Sequence, residues 1–316
     1  MDPYRWQCIT EKAPFAGRDG AGALVHQDQM WLLGGWNPKD KVNFPHICNS
    51  EVWSSTEGAE WVLRTAQAPW EGRHTAGYVV FDGSMWIVGG DCNQGHYQSD
   101  VWRSDDGIKW DLVTAEVPWA PRVLHHTVVF RDRIWVVGGQ TIPQFAPSEE
   151  VFYHDIWVSD DGRNWRQAAD HLPWAPRGMI GGCAVFGDAL WLLGGGTYDT
   201  PARPNRIFYN DVWRSEDGTN WERVLSAAPW SPRQYHEVAV FDHRMWVMEG
   251  YYESGGNRND VWYSEDGVNW VEVCGTPWAP RHAASVFVYR DGLWMVAGNN
   301  MFPDVWKLTR SPGKGD

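Results

Sequence analysis

Six short segments of this 316-residue chain open alike, and that repetition leaves few folds open to it. They are "APFAGR" (13–18), "APWEGR" (68–73), "VPWAPR" (117–122), "LPWAPR" (172–177), "APWSPR" (228–233) and "TPWAPR" (276–281). Each runs into a β-rich stretch, then an apolar strand with a tryptophan, then Gly-Gly or a relative of it. The tryptophans of that second strand, Trp31, Trp86, Trp135, Trp191, Trp246 and Trp294, lie 55, 49, 56, 55 and 48 residues apart. A period near 50 is the length of one propeller blade.

A third strand follows a loop of variable length and ends "EVW", "DVW" or "DIW", at Trp53, Trp102, Trp157, Trp213, Trp262 and Trp306. Tight turns such as "SDDGIKW" and "SEDGTNW" then feed a fourth strand, with Asp-Gly supplying the positive φ of a hairpin. The sixth copy stops at "DVWKLTR" without a fourth strand, whereas "RWQCITEKAPF" (5–15) aligns with "NWERVLSAAPW" (220–230). The N-terminal segment therefore completes the last blade, which closes the ring and removes exposed sheet edges. The sequence predicts an all-β, six-bladed propeller forming a single domain. Its blades run approximately 13–66, 68–116, 117–170, 172–226, 228–274, and 276–310 plus 5–12.

The paired glycines, the strand-four tryptophan and the arginine leading into strand one resemble the kelch-repeat family, over residues 5–310. That resemblance implies the fold and a range of activities: protein-interaction platforms, sugar oxidases, sialic acid mutarotases and specifier proteins. The S-x-D-G-x-x-W turn also resembles a shortened Asp box, which is a turn device. No copper-ligand set of the sugar oxidases can be matched residue by residue, and the E-x-x-x-D-x-x-x-H run of the specifier proteins is absent.

The net charge of −13, with no lysine or arginine run, disfavours a nucleic-acid partner. There is no signal-peptide pattern and no apolar stretch near 18 residues, so neither export nor membrane spanning is expected. Five cysteines outside C-x-x-C spacing point to thiols in a cytoplasmic protein. A closed propeller has no edge to pair, so a monomer is expected. No nucleotide fingerprint, P-loop, G-x-S-x-G elbow or H-E-x-x-H helix occurs, and no nucleotide cofactor is expected.

The repeats also act as a control within the chain, since a residue present in every blade serves the blade. Of the 24 tryptophans, only Trp36 lies outside four recurring slots, one of which Phe15 fills. The six arginines that lead into strand one match six acids before strand three, as expected of an ion pair within each blade, with one or two free to bind an anion. Three and four residues beyond the arginine stand Ala21-Gly22, Ala76-Gly77, His125-His126, Ile180-Gly181 (one residue inserted), His236-Glu237 and Ala284-Ser285. Blades three and five thus place ionisable groups where the others are small. Glu249 replaces the strand-two glycine of blade five, although Ala297 in blade six also replaces it.

These departures predict one polar site at the channel mouth, on the face of the two-to-three and four-to-one loops. His126, His236, Glu237 and Glu249 would transfer protons. Alternatively, His125 or His126, with His236 and Glu237, would hold a divalent ion such as zinc, iron or copper; adjacent strand residues face opposite ways, so only one of the two histidines joins. Arg122 and Arg233 would hold an anion, and Trp36, Tyr251 and Tyr252 would form apolar walls. The expected ligand is a small polar or anionic molecule, which the mutarotase resemblance implies is a sugar acid, and the expected reaction an isomerisation, elimination or cyclisation. A non-catalytic carbohydrate-binding or protein-interaction propeller is the other reading, distinguished by whether the ionisable groups are recessed.

Overall fold

The alternation of apolar residues with period two, broken by Asp-Gly turns, produces six antiparallel four-stranded sheets in the computed structural model, which describes residues 3–93, 95–144, 149–178 and 181–311. Blade one comprises Gly22–His26, Gln29–Leu33, Val52–Ser55 and Val62–Thr65. The inner strands of the next five are Gly77–Phe81, His126–Phe130, Gly182–Phe186, Glu237–Phe241 and Ser285–Tyr289. Successive inner strands touch around the axis, and the last meets the first. Blade six takes its outer strand, Tyr4–Thr10, from the N-terminus, paired with Val305–Arg310 in a register that sets Trp6 opposite Leu308.

Two tryptophan slots explain why the ring holds. The aromatic residue that opens each repeat meets the outer-strand tryptophan of its own blade at 4.9–6.1 Å between centroids; in blade three this is Trp119 on Trp165, edge-on. The strand-two tryptophan instead packs across the blade junction. Trp31 lies among Met85, Ile87 and Trp110 of blade two, and the turn glycine of that blade, Gly107, covers it so closely that an added Cβ would stand 2.1 Å from the indole. Gly107 also has φ 71°, so the Asp-Gly turn is fixed both by backbone conformation and by the neighbouring blade. Ser104 Oγ accepts from the Gly107 N–H at 2.8 Å, and Asp106 Oδ1 accepts from Ile108 and Lys109, so this motif is a turn device.

Candidate functional site

The arginine that leads into each inner strand is consumed by its own blade. Arg122 bonds both oxygens of Asp155 and the Gly138 carbonyl, and Arg233 bonds Asp260 and the Glu249 carbonyl; both arginines are buried. The expectation that Arg122 and Arg233 bind an anion is therefore corrected: each guanidinium already has a carboxylate and a carbonyl. In blades three and four Tyr153 and Tyr209 lie over Arg122 and Arg177, at 3.8 and 4.0 Å from ring centroid to guanidinium carbon.

His125, His126, His236 and Glu237 line one cavity of about 260 Å³, within the channel rather than at its mouth. Ile180, in the matching row of blade four, lies outside the described residues. His126 and Glu237 are half-buried, and both line this cavity. Burial lowers the pKa of His126 to about 4 and raises that of Glu237 to about 8. Burial, with the nearby cations Arg122 and Arg233, lowers His125 and His236 to about 3. His236 Nε2 lies 3.0 Å from the Leu193 carbonyl, and neither His236 Nδ1 nor His126 Nε2 has a hydrogen-bond partner among the described residues. These groups do not converge on one point. Among the described residues, the only three metal-capable ligand atoms within 4.8 Å of one another belong to Glu71, Cys92 and His96, so the expected metal set of His125 or His126 with His236 and Glu237 is corrected.

Glu249 has a packing explanation. At this slot the backbone is left-handed in every blade, with φ 62° at Gly34, 59° at Gly89, 59° at Gly194 and 54° at Glu249. Room for a side chain is limited by a carbonyl of the same blade, Gln98 O or Tyr209 O, and by the inner strand of the following blade. A Cβ on Gly89 would stand 3.3 Å from His125 Nε2, and one on Gly194 would stand 3.1 Å from His236 Cε1. Blade six carries Ala284 where those blades carry histidine, so the space is filled from the other side: Glu249 Oε1 accepts the Ala284 N–H at 3.0 Å. At these junctions histidine faces glycine or alanine faces glutamate, whereas Gly34 of blade one faces Ala76 and is held to glycine by the Arg73 and Asn49 carbonyls. Burial, reinforced by Glu237, pushes the Glu249 carboxyl well above its usual pKa, and it does not line the channel cavity. The expected catalytic role of Glu249 is replaced by that of a clamp between blades five and six.

These buried histidines make stability depend on pH. Between about pH 6.5 and 4 the unfolded chain binds protons that the folded His125, His126 and His236 refuse, so stability falls as pH drops through that window. Glu237 works in the opposite sense: it keeps a proton up to about pH 8 that the unfolded chain gives up near its ordinary value of 4.5, so it costs stability as pH rises across that range. Urea unfolding is expected to show a loss approaching 1.4 kcal/mol per pH unit for each histidine at the acid end. A His125→Asn/His236→Asn variant should flatten it; an equally steep slope in the variant would contradict this assignment.

The mouth itself holds a second cavity, of about 480 Å³. Its walls come from the two residues directly after the recurring arginine and from the two-to-three loops. At the throat the backbone is left-handed at Gly20, Thr75, Leu124, Tyr235 and Ala283, with φ between 50° and 60°. Hydrogen bonds run around it from blade to blade: Thr75 N to Gly20 O, Gly20 N to Ala283 O, and Ala283 N to Tyr235 O. This ring presents the preceding residues, among them Asp19, His74 and His282, to the mouth.

His282 is the best-defined of these groups. Its imidazole stacks on Tyr235, 5.0 Å between centroids, with Tyr251 edge-on at 5.9 Å. Asn257 Nδ2 donates to Asn299 Oδ1 at 2.9 Å, so Asn257 Oδ1 is an acceptor and His282 Nδ1, 2.8 Å away, must donate to it. The tautomer is thereby fixed with the lone pair on Nε2. Burial, with Arg206 nearby, lowers the pKa of His282 to about 4, so it is neutral at pH 7. Asp19 occupies the same slot in the adjacent blade one and is buried; desolvation raises its carboxyl well above the usual range. Arg206 Nε bonds Asp199 at 2.6 Å, which leaves its Nη edge without a hydrogen-bond partner among the described residues. Burial raises Tyr198 to about 12 and Tyr235 well above the ordinary phenol; Tyr235 donates to the Tyr198 oxygen, which leaves the Tyr198 hydroxyl proton for a ligand.

Of the residues expected from the sequence, Trp36 and Tyr251 line this mouth cavity. Trp36 stacks on His74, with centroids 6.1 Å apart. Tyr252 does not line it: it packs edge-on against Phe208 with Arg258 over its ring, so the expected wall role is corrected. Asp19, His74, Tyr198, Arg206, Tyr235, His282 and Asn299 were missed. The signal for three of them lay one residue after the arginine, where the blades read Asp19, His74, Val123, Gly178, Gln234 and His282.

No protein-family model and no curated protein matches this chain. Among solved structures, one titled "Structure of YjhT" superposes with a TM-score of 0.70 at 14% sequence identity, covering 94% of this chain and 95% of that one. In all, 535 solved chains match, so the likeness bears on the propeller fold and leaves the chemistry to the residues.

Proposed function

We propose that the mouth cavity binds a small hydroxylated carboxylate of the sugar-acid type and interconverts its isomers by proton transfer. The observation that carries this reading is the pair of groups in matched slots of neighbouring blades: His282, neutral with its lone pair on Nε2, and Asp19, whose buried carboxyl is shifted towards its protonated form. His282 would accept the proton of an anomeric hydroxyl while Asp19 gives its proton to the ring oxygen, so the C–O ring bond breaks and a carbonyl forms; reversal on the other face of that carbonyl gives the second anomer. The Nη edge of Arg206 would take the carboxylate, and the Tyr198 hydroxyl, itself held by Tyr235, would donate to a ligand oxygen. The resemblance to sialic acid mutarotases among kelch propellers agrees with this assignment, and membership of the kelch family is part of the proposal.

The test is a panel of uronic and ulosonic acids, with binding followed by calorimetry and anomer exchange by proton NMR. At least one acid is expected to bind, with Arg206→Ala weakening it about 10- to 150-fold, the worth of a charged hydrogen bond of about 1.5–3 kcal/mol. Equal binding of the corresponding neutral sugar would remove the role given to Arg206. Binding of the acid without acceleration of exchange would favour the non-catalytic reading, to which the low basicity of His282 lends some support.

A further inference from the structure

Blade two departs from the repeat at a place the mouth cavity does not use. The residue two before the recurring arginine is Ala16, Ala120, Ala175, Ser231 or Ala279 in the other blades, but Glu71 in this one. The two-to-three loop of the same blade brings Cys92 and His96 to it. Glu71 Oε2 lies 2.9 Å from His96 Nε2, and Cys92 Sγ lies 3.8 Å from that nitrogen. One ligand atom from each of the three falls within 4.8 Å of the others.

We propose that Glu71, Cys92 and His96 form a zinc-type divalent metal site on the rim of blade two, with solvent in the fourth position. A thiolate, an imidazole and a carboxylate are the donors zinc takes, at about 2.3, 2.0 and 2.0–2.2 Å, and a tetrahedron of that size needs only small movements from the spacings seen. The thiolate selects zinc over magnesium or calcium, which prefer oxygen alone. Cys92 is buried and Glu71 and His96 are half-exposed, so the site is closed on the protein side and reachable from solvent. Gln98 Nε2 donates to Glu71 Oε2 at 3.2 Å and orients the carboxylate. Binding replaces the Cys92 S–H bond by an S–metal bond and releases that proton to solvent.

The site has a structural consequence for the mouth. Asn93 follows Cys92 and lines the mouth cavity, its backbone N–H donating to Asp91 Oδ1 at 2.6 Å. With its amide turned to satisfy both ends, Asn93 bridges Asp91 to the Trp36 indole N–H. A metal held by Cys92 and His96 would pin the loop that carries this wall. Cys48 lines the neighbouring cavity with Cys92 and Glu71, but its sulfur lies against His74 and the Asp91 carbonyl.

Titration of the purified, metal-stripped protein with Co²⁺ tests this directly. One equivalent should give a thiolate-to-cobalt charge-transfer band, release about one proton, and be displaced by Zn²⁺. Cys92→Ser should abolish the band. His96→Ala, a half-exposed position that leaves the fold intact, should weaken binding by at least the roughly 10- to 100-fold that loss of a supporting residue costs. Cys48→Ser should leave band and affinity unchanged. No band at one equivalent in the unmodified protein, or an undiminished one in both Cys92→Ser and His96→Ala, would overturn the proposal.

Discussion

Arg177→Met is expected to lose about 3–5 kcal/mol of stability, enough to unfold much of the protein at moderate denaturant. Arg177 is buried and bonds both oxygens of Asp211 at 2.8 Å as well as the Gly194 carbonyl at 2.9 Å. Asp211 also accepts from the Trp213 indole at 2.8 Å. Removing the arginine therefore leaves a buried carboxylate with one partner and a buried carbonyl with one fewer, and the cost comes from these stranded groups. The contrast is Arg133→Ala, whose ion pair with Asp160 is exposed on both sides and should be worth no more than about 1 kcal/mol. Urea titration of the two variants separates them; near-equal losses would show that the six buried pairs are not what fixes the blades.

His282→Gln is expected to lower the rate of isomer exchange by roughly 100- to 10,000-fold, the usual contribution of one general base. Glutamine keeps a polar group against Tyr235 and Asn257, so the melting temperature and the affinity for the acid should change little. The imidazole is neutral above about pH 4, so the rate should not fall as pH drops from neutrality to about 5. The basic limb of the profile should follow the loss of the Asp19 proton, whose pKa burial raises. A rate that falls on the acid side near the ordinary imidazole pKa of about 6.5 would mean that a different histidine acts.

The repeats made the fold legible because each recurring residue does a job that every blade needs. The Asp-Gly turn covers the strand-two tryptophan of the preceding blade, the arginine ties three strands together, and the tryptophans fill fixed gaps; none of this depends on a particular ligand. The same logic grouped Glu249 with the channel residues, whereas the structure sets its Oε1 against the Ala284 N–H of the next blade. The ionisable residues of the inner strands were correctly recognised as unusual, but their position three and four residues past the arginine places them in the channel. One residue past the arginine, the chain had already listed Asp19, His74 and His282 as departures. Arg206 could not be read in advance: it lies in the loop "GTYDTPARPNRIFYN", whose path is set by contacts such as Thr197 N to Ile207 O rather than by any periodic pattern.

The central claim is that chemistry occurs at the mouth and that the channel histidines and Glu237 are structural. Anomer exchange of the bound acid, measured by two-dimensional exchange NMR on the unmodified protein, His282→Gln and Glu237→Gln at equal saturation, tests it most directly. The account predicts acceleration in the unmodified protein, its loss in His282→Gln, and its retention in Glu237→Gln. Full activity in His282→Gln together with its loss in Glu237→Gln would place the chemistry in the channel and contradict the account.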